Sequence, residues 1–83
     1  MKLTVRYFAV LRERAGLETE VVAWDGPADV GGLREHLAAR APGLGEFLRS
    51  GSLLVAVNRE YADAATPLRD GDEVAFFPPV TGG

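Results

Sequence analysis

Alternating apolar and polar residues predict a β-strand at the start of the chain, from Lys2 to Phe8. The alternation assigns Leu3, Val5 and Tyr7 to one face and Thr4, Arg6 and Phe8 to the other. The first set is uniformly apolar, so its face is expected to turn toward the core. Phe8 is the exception, because it places an aromatic ring on the polar face.

A short helix and a second strand are predicted next. Residues 9–15 suit a helix of about two turns, and Gly16 suits its C-terminal cap because glycine tolerates the left-handed conformation found there. Residues 18–24 return to β-branched and aromatic composition. Because the connection is short, the two strands are expected to be antiparallel neighbours.

The strongest helical pattern covers residues 30–41, with Asp29 as its N-cap. Helical spacing places four apolar residues toward the sheet: Val30, Leu33, Leu37 and Ala41. Gly31 and Gly32 are poor helix formers that cost about 1 kcal/mol each relative to alanine. The Pro42-Gly43 pair is expected to end the helix, and residues 44–50 then form a linker with at most one helical turn at 46–49.

The last third of the chain predicts three strands. Residues 53–57 form an apolar run typical of a central or well-covered strand, 58–59 a turn, and 60–62 a short return strand. After a turn around Asp70-Gly71, residues 73–77 alternate again, with Val74 and Phe76 toward the core and Phe77 away from it. The predicted common core is Leu3, Val5, Leu33, Leu37, Val57, Val74 and Phe76.

Composition narrows the class of protein. The 83 residues fit one domain, and 47% of them are hydrophobic. There is no cysteine, so a disulfide or thiol nucleophile is excluded, and the single histidine, His36, excludes a multi-histidine metal site. A net charge of −3 and scattered basic residues argue against nucleic acid as a partner. With neither a membrane span nor a signal peptide in the pattern, we expect a cytoplasmic protein.

The C-terminal tail, residues 78–83, draws attention because it follows the last strand directly. Pro78 and Pro79 stop the sheet and stiffen the chain, and Gly82 and Gly83 leave its end unobstructed. Six extended residues reach roughly 20 Å, far enough to enter another protein's active site. We therefore divide the chain into a domain at 1–77 and a tail at 78–83.

The element order resembles the α+β β-grasp, or ubiquitin-like, fold: a mixed sheet of about five strands with one main helix on one face. Three segments, residues 2–13, 53–58 and above all 68–83, are similar to the small subunit of molybdopterin synthase. The last segment combines the Asp-Gly turn, the final strand, the proline pair and the Gly-Gly end, so it is the most specific of the three. One departure from the family's pattern is the Gly31-Gly32 pair, which stands where a good helix start would be expected.

The resemblance implies a sulfur carrier that is not an enzyme on its own and binds no metal or cofactor. The terminal carboxylate of Gly83, ionised at neutral pH, would be adenylated by a ubiquitin-activating-type enzyme that uses ATP. A sulfur donor would then convert it to a thiocarboxylate, which donates sulfur to a pterin precursor on a larger catalytic subunit. Gly82 would keep the reacting end narrow.

Partner contacts are expected around the base of the tail. Phe8 and Phe77, on adjacent strands, would form one apolar patch that Tyr61 extends. The tail contributes Pro78, Pro79, Val80 and Thr81. Arg6, Arg12 and Arg14 are candidates for contacts with an acidic partner, and an ordinary solvated face explains them equally well.

Two other functions fit the same sequence. The carrier could serve thiamin thiazole synthesis or tRNA thiolation, with the chemistry unchanged and a different acceptor. Alternatively, the chain could be a non-covalent ubiquitin-like binding module. Intact-mass analysis after incubation with ATP and an adenylating enzyme separates the carrier from the module. Absence of an adenylate or thiocarboxylate would favour the module.

Overall fold

The order of helices and strands follows the predicted one, with one helix added. The computed structural model describes residues 1–26, 28–40, 42–49 and 53–78. In this part of the chain the elements are β1 (Lys2–Tyr7), α1 (Val10–Ala15), β2 (Thr19–Ala23), α2 (Val30–Arg40), α3 (Pro42–Leu48), β3 (Leu54–Val57), β4 (Glu60–Ala62) and β5 (Glu73–Phe77).

The strands form one mixed sheet in the order β2-β1-β5-β3-β4. β1 pairs with β2 in antiparallel fashion, as predicted, and with β5 in parallel, with Val5 opposite Val74 and Tyr7 opposite Phe76. The first and last strands therefore lie side by side at the centre of the sheet. This arrangement confirms the register predicted for both strands, because their apolar residues share one face.

The core lies between this face and the helices. Its buried members include Leu3, Val5, Tyr7, Val22, Val74 and Phe76 from the strands and Leu11, Val30, Leu33, Leu37, Leu44 and Leu48 from the helices. Six of the seven predicted core residues are thus buried. The prediction is wrong for Val57, which is only partly buried and packs against the edge of the core. Val57 pairs with Glu60 on the short edge strand β4, which covers it incompletely.

The start of α2 explains the two glycines that follow its cap. The carboxylate of Asp29 accepts a hydrogen bond of 2.7 Å from the backbone N–H of Gly32, which confirms Asp29 as the N-cap. The N–H of Gly31 donates to the carbonyl oxygen of Ala64 at 2.9 Å, and a Cβ on Gly31 would lie only 3.2 Å from that oxygen. The helix start therefore packs closely against the loop before β5, and this contact offsets the poor helix propensity of glycine.

The segment predicted as a linker is the helix α3, and here the prediction is wrong. Leu44 and Leu48, four residues apart, are both buried, so one face of this segment belongs to the core. Pro42 begins the helix, because proline is well tolerated at the first helical position. A Cβ on Gly45 would lie 3.3 Å from the carbonyl oxygen of Ala38, so glycine lets α3 pack close to α2.

Two turns fix β5 beside its neighbours. The side chain of Asn58, which has a positive φ of 50°, donates to Asp72 Oδ1 at 2.9 Å and accepts from the N–H of Glu73 at 3.0 Å. In the predicted Asp-Gly turn, Asp70 accepts a hydrogen bond of 2.6 Å from the N–H of Lys2, and Gly71 takes a φ of 87°. The Asn58 side chain therefore ties the start of β5 to the turn that follows β3, and Asp70 ties the turn before β5 to the start of β1.

A polar cluster joins the sheet to the end of α2. The buried hydroxyl of Tyr7 donates to Glu20 Oε2 at 2.8 Å, and Arg40 pairs with the other oxygen of Glu20. Burial, reinforced by the neighbouring Glu20 carboxylate, raises the pKa of Tyr7 well above its ordinary value. Tyr7 therefore remains a hydrogen-bond donor at any physiological pH and anchors β2 to β1.

Candidate functional site

An aromatic patch lies on the sheet face opposite the helices, and we define it as Phe8, Tyr61 and Phe77. The ring of Phe77 contacts Phe8 edge-on, with centroids 6.3 Å apart, and Tyr61 in a tilted arrangement at 6.0 Å. These residues come from the end of β1, from β4 and from β5. Residues distant in sequence are thus brought together as the strand alternation predicted.

The three rings differ in exposure. Phe8 is 40% exposed and Tyr61 is 79% exposed, whereas Phe77 is half-buried. Phe77 is less exposed than the sequence predicted, because its neighbours on both sides cover part of its ring. Exposed aromatic rings that touch one another are typical of a surface that a partner covers. Phe77 at its centre is therefore the strongest candidate anchor.

An open groove of about 500 Å³ runs along this patch. Its lining is mostly apolar and consists of Arg6, Phe8, Ala9, Arg59, Glu73, Ala75, Phe77 and Pro78. Pro78, the first residue of the tail, therefore borders the groove. A partner that fills this groove also contacts the point at which the tail leaves the domain.

Arg6 holds one wall of the groove in place. Its guanidinium lies 5.5 Å from the centre of the Phe8 ring and 3.6 Å from the carboxylate of Glu73. Both charges are partly exposed, so the ion pair adds little stability. Its effect is on position, since it keeps a cation stacked on Phe8 and limits where that ring can turn.

Ala9 gives the end of β1 its shape, and the sequence offered no signal for it. Its φ of 54° and ψ of −128° lie in a region that residues with a Cβ rarely adopt. The chain turns there from β1 into α1 and leaves Phe8 on the outer face beside Phe77.

The structure brings together Phe8, Tyr61, Phe77 and Pro78 from the predicted partner-binding residues. The remaining predicted site residues, Pro79, Val80, Thr81, Gly82 and Gly83, lie outside the described residues. Arg12 and Arg14 do not line the groove, and Arg14 instead stacks on Phe47 at 5.4 Å. His36 is half-buried and stacks on Trp24 with centroids 5.9 Å apart.

The part of the chain that the structure describes contains neither a metal-binding cluster nor a helix that could span a membrane. Within residues 1–26, 28–40, 42–49 and 53–78, no three metal-ligating side chains come together. The helices in the same ranges are all too short or too polar to cross a bilayer.

Comparison with known proteins places the chain in a family. The model of the ThiS family matches residues 5–83, which include the patch and the whole tail. The chain belongs to the ThiS family. A relative from Escherichia coli, the molybdopterin synthase sulfur carrier subunit, is 48% identical over 98% of this chain and 99% of its own length. The resemblance inferred from the C-terminal segment is thereby confirmed.

Solved structures agree with the fold. The crystal structure of SAMP1 from Haloferax volcanii covers all of this chain and all of its own, with a TM-score of 0.83 and 35% identity. A second match is a chain in the complex of subunits 1 and 2 of the molybdopterin-converting factor from Helicobacter pylori. It covers all of this chain and all of its own, with a TM-score of 0.71 and 33% identity. The predicted β-grasp fold is confirmed. That similar chain was thus solved in complex with a second subunit.

Proposed function

We propose that this chain is the sulfur carrier subunit of a molybdopterin synthase. One observation carries the proposal: the aromatic patch and its groove border Pro78, where the tail begins. A surface built to be covered by a partner thus lies at the base of a narrow Gly-Gly tail. Relatives named as sulfur carrier subunits match this chain over nearly its whole length, which supports the proposal.

The reactive group in this proposal is the carboxylate of Gly83. An adenylating enzyme joins it to the AMP portion of ATP and releases pyrophosphate, which turns a poor electrophile into a mixed anhydride. A sulfur donor then displaces AMP and leaves a thiocarboxylate. The carrier delivers this sulfur to a pterin precursor, and water returns the carboxylate. Because the cycle consumes ATP, we expect it to run in the cytoplasm.

The domain's part in this chemistry is to dock and to aim the tail. In this proposal the catalytic side chains belong to the larger subunit. That subunit covers Phe8, Tyr61 and Phe77, and its active site receives the tail. Pro78, at the edge of the covered groove, sets the direction in which the tail leaves.

Replacing Phe77 by alanine is expected to weaken binding of the larger subunit by about 1–3 kcal/mol, because the central ring of the patch is lost. Some folding stability, on the order of 1 kcal/mol, should be lost as well, since Phe77 contacts two other rings. Phe8→Ala should act in the same direction more weakly. Calorimetric titration against the larger subunit measures the first effect, and thermal melting measures the second.

Phe47→Ala provides a matched control. Phe47 is also a half-buried phenylalanine, but it lies on α3, among the elements that cover the other face of the sheet. This variant should lose comparable stability and bind the larger subunit as the unaltered chain does. Equal loss of binding in both variants would show that the patch has no special part in docking.

Reconstitution of the whole cycle tests the function. The chain is incubated with ATP, the adenylating enzyme and a sulfur donor, and its intact mass is measured. The expected product has one oxygen atom replaced by sulfur, and it should yield molybdopterin when mixed with the larger subunit and the precursor. If the loaded chain donates sulfur only to a thiazole or tRNA acceptor, the protein belongs to another thiolation pathway. If the chain never acquires sulfur, the non-covalent binding module is the remaining hypothesis.

A second candidate function is attachment of the chain to other proteins. It is favoured by a full-length relative from Haloferax volcanii, small archaeal modifier protein 3, which is 38% identical. The same activated carboxylate would then react with a lysine amine instead of a sulfur donor. The last trypsin site before the C-terminus is Arg69. Mass spectrometry of trypsin-digested cell extracts for lysines bearing residues 70–83 therefore distinguishes this outcome from a free thiocarboxylate.

A further inference from the structure

The free edge of the sheet at β2 is well formed and carries unpaired backbone groups. The N–H of Tyr7 donates to the carbonyl of Glu18 at 2.9 Å, and the N–H of Trp24 donates to that of Met1 at 2.9 Å. In an antiparallel pair the backbone groups of alternate residues turn toward the partner strand. Residues 18, 20, 22 and 24 therefore face β1. Residues 19, 21 and 23 direct their N–H and C=O groups outward, away from the sheet.

This edge lacks the prolines, bulges and lysines by which many proteins block edge-to-edge pairing, although it carries one charged residue, Glu20, on its core side. Natural edge strands are protected by prolines, bulges, lysines or very short length. β2 has five residues without proline or lysine, and its register with β1 runs without a bulge. The central residue of β2, Val21, is 67% exposed. At the other edge, β4 has only three residues.

We propose that β2 pairs with β2 of a second copy of this chain in antiparallel fashion about Val21. In this register Val21 lies opposite Val21 of the second copy, and Thr19 lies opposite Ala23. These are the three residues whose backbone groups face outward. Roughly six new hydrogen bonds form, because each such pair exchanges two of them. The two sheets then become one.

The side chains suit this pairing on both faces. On the outer face two exposed valines come together, and valine favours such cross-strand contacts. On the core side Glu20 lies opposite Val22 of the second copy, so like charges are not placed directly opposite each other. The carboxylate of Glu20 is already held by Tyr7 and Arg40 in its own copy. A second copy therefore adds no unpaired charge to the edge.

The dimer leaves the candidate functional site accessible. β1 lies between β2 and β5, so the strand that leads into Pro78 is not at the paired edge. Two carriers could therefore dock and be loaded independently. Five paired residues bury less than the roughly 1,200–2,000 Å² of stable complexes, so the dimer is expected to be weak and concentration-dependent.

Cysteine cross-linking tests the register, because the chain contains no cysteine of its own. In the proposed dimer the Cα atoms of the two Val21 residues lie about 5.5 Å apart, within the roughly 4.4–6.8 Å that a disulfide spans. The two Thr19 residues lie roughly 14 Å apart by the rise of a strand. Mild oxidation of Val21→Cys should give at least about tenfold more disulfide dimer than Thr19→Cys.

Thr19→Cys is the matched control, since it is an exposed position on the same face of the same strand. Mixing Thr19→Cys with Ala23→Cys should restore cross-linking, because the register brings these two positions together. Sedimentation at rising concentration should show dimers of the unaltered chain and none of Val21→Lys, which adds a charge at the centre of the edge. Melting of each variant confirms that it is folded.

Two results would overturn the proposal. Equal cross-linking of Val21→Cys and Thr19→Cys would indicate random collision rather than a fixed register. If Val21→Lys sedimented as the unaltered chain does but no longer bound the larger subunit, the edge would accept a strand of that subunit instead of a second copy.

Discussion

Removal of Gly83 is expected to abolish sulfur transfer and to leave the melting temperature unchanged. The shortened chain still ends in a glycine carboxylate, now that of Gly82, so the chemistry of the end group is preserved. Its position moves back by about 3.3–3.6 Å, the length of one extended residue, and the reacting carbon no longer reaches its place in the partner. Addition of one glycine after Gly83 should have the same effect by overshooting. Gly82→Val should also impair transfer, because a β-branched side chain widens the tail and restricts its φ.

Stability separates this effect from misfolding. The buried core of the described residues extends from Leu3 to Phe76, so none of its members is altered by changes at residues 82 and 83. Thermal melts should therefore coincide, while molybdopterin formation with the larger subunit falls to background. Calorimetric titration should still show binding through the aromatic patch. Normal product formation by the shortened chain would contradict the role of Gly83 as the sulfur-bearing residue.

The face on which Phe8 and Phe77 lie could be predicted from sequence because strand alternation is a local signal. Once Val74 and Phe76 are assigned to the core, Phe77 has to point away from it. The same count assigns Phe8, and the parallel pairing of β1 with β5 then brings the two rings together. Tyr61 joins them through the pairing of β4 with β3 and of β3 with β5.

Features that depend on contacts between distant segments were missed. Gly31 indicated a poor helix start, yet Gly31 and Gly45 each permit a close approach to a backbone carbonyl that only the fold reveals. The helix α3 was missed for this reason, since its proline and glycines outweighed the spacing of Leu44 and Leu48. The positive φ of Ala9 was equally unpredictable, because alanine carries no sequence signal for that conformation.

Two parts of the candidate site, the tail and the aromatic patch, could therefore be predicted from sequence, each from a different signal. The tail was recognised by its composition, because Pro-Pro and Gly-Gly have direct consequences for backbone geometry. The aromatic patch was recognised by periodicity. The groove, with Arg6 stacked on Phe8 and paired with Glu73, depends on how three strands meet, and no single segment indicates it.

Replacement of Leu37 by alanine is expected to lower the free energy of unfolding by about 2–5 kcal/mol. Leu37 is fully buried where α2 packs over the sheet, so the truncation removes apolar contacts and leaves a cavity. A domain of this size is stabilised by only about 5–10 kcal/mol, so much of its stability is at stake. Urea denaturation measures the effect, and the single tryptophan, Trp24, is a convenient probe because it is buried in the same core.

Glu35→Ala on the same helix is the matched control. Glu35 is exposed, and its ion pair with Arg49, 3.5 Å away, is exposed as well, so its loss should cost less than about 1 kcal/mol. Sulfur transfer by the Leu37 variant should fall only as far as its folded fraction falls, and low temperature or saturating larger subunit should restore it. A cost below about half a kcal/mol for Leu37→Ala would contradict the packing of α2 described above, since a fully buried leucine cannot be truncated so cheaply in a close-packed core.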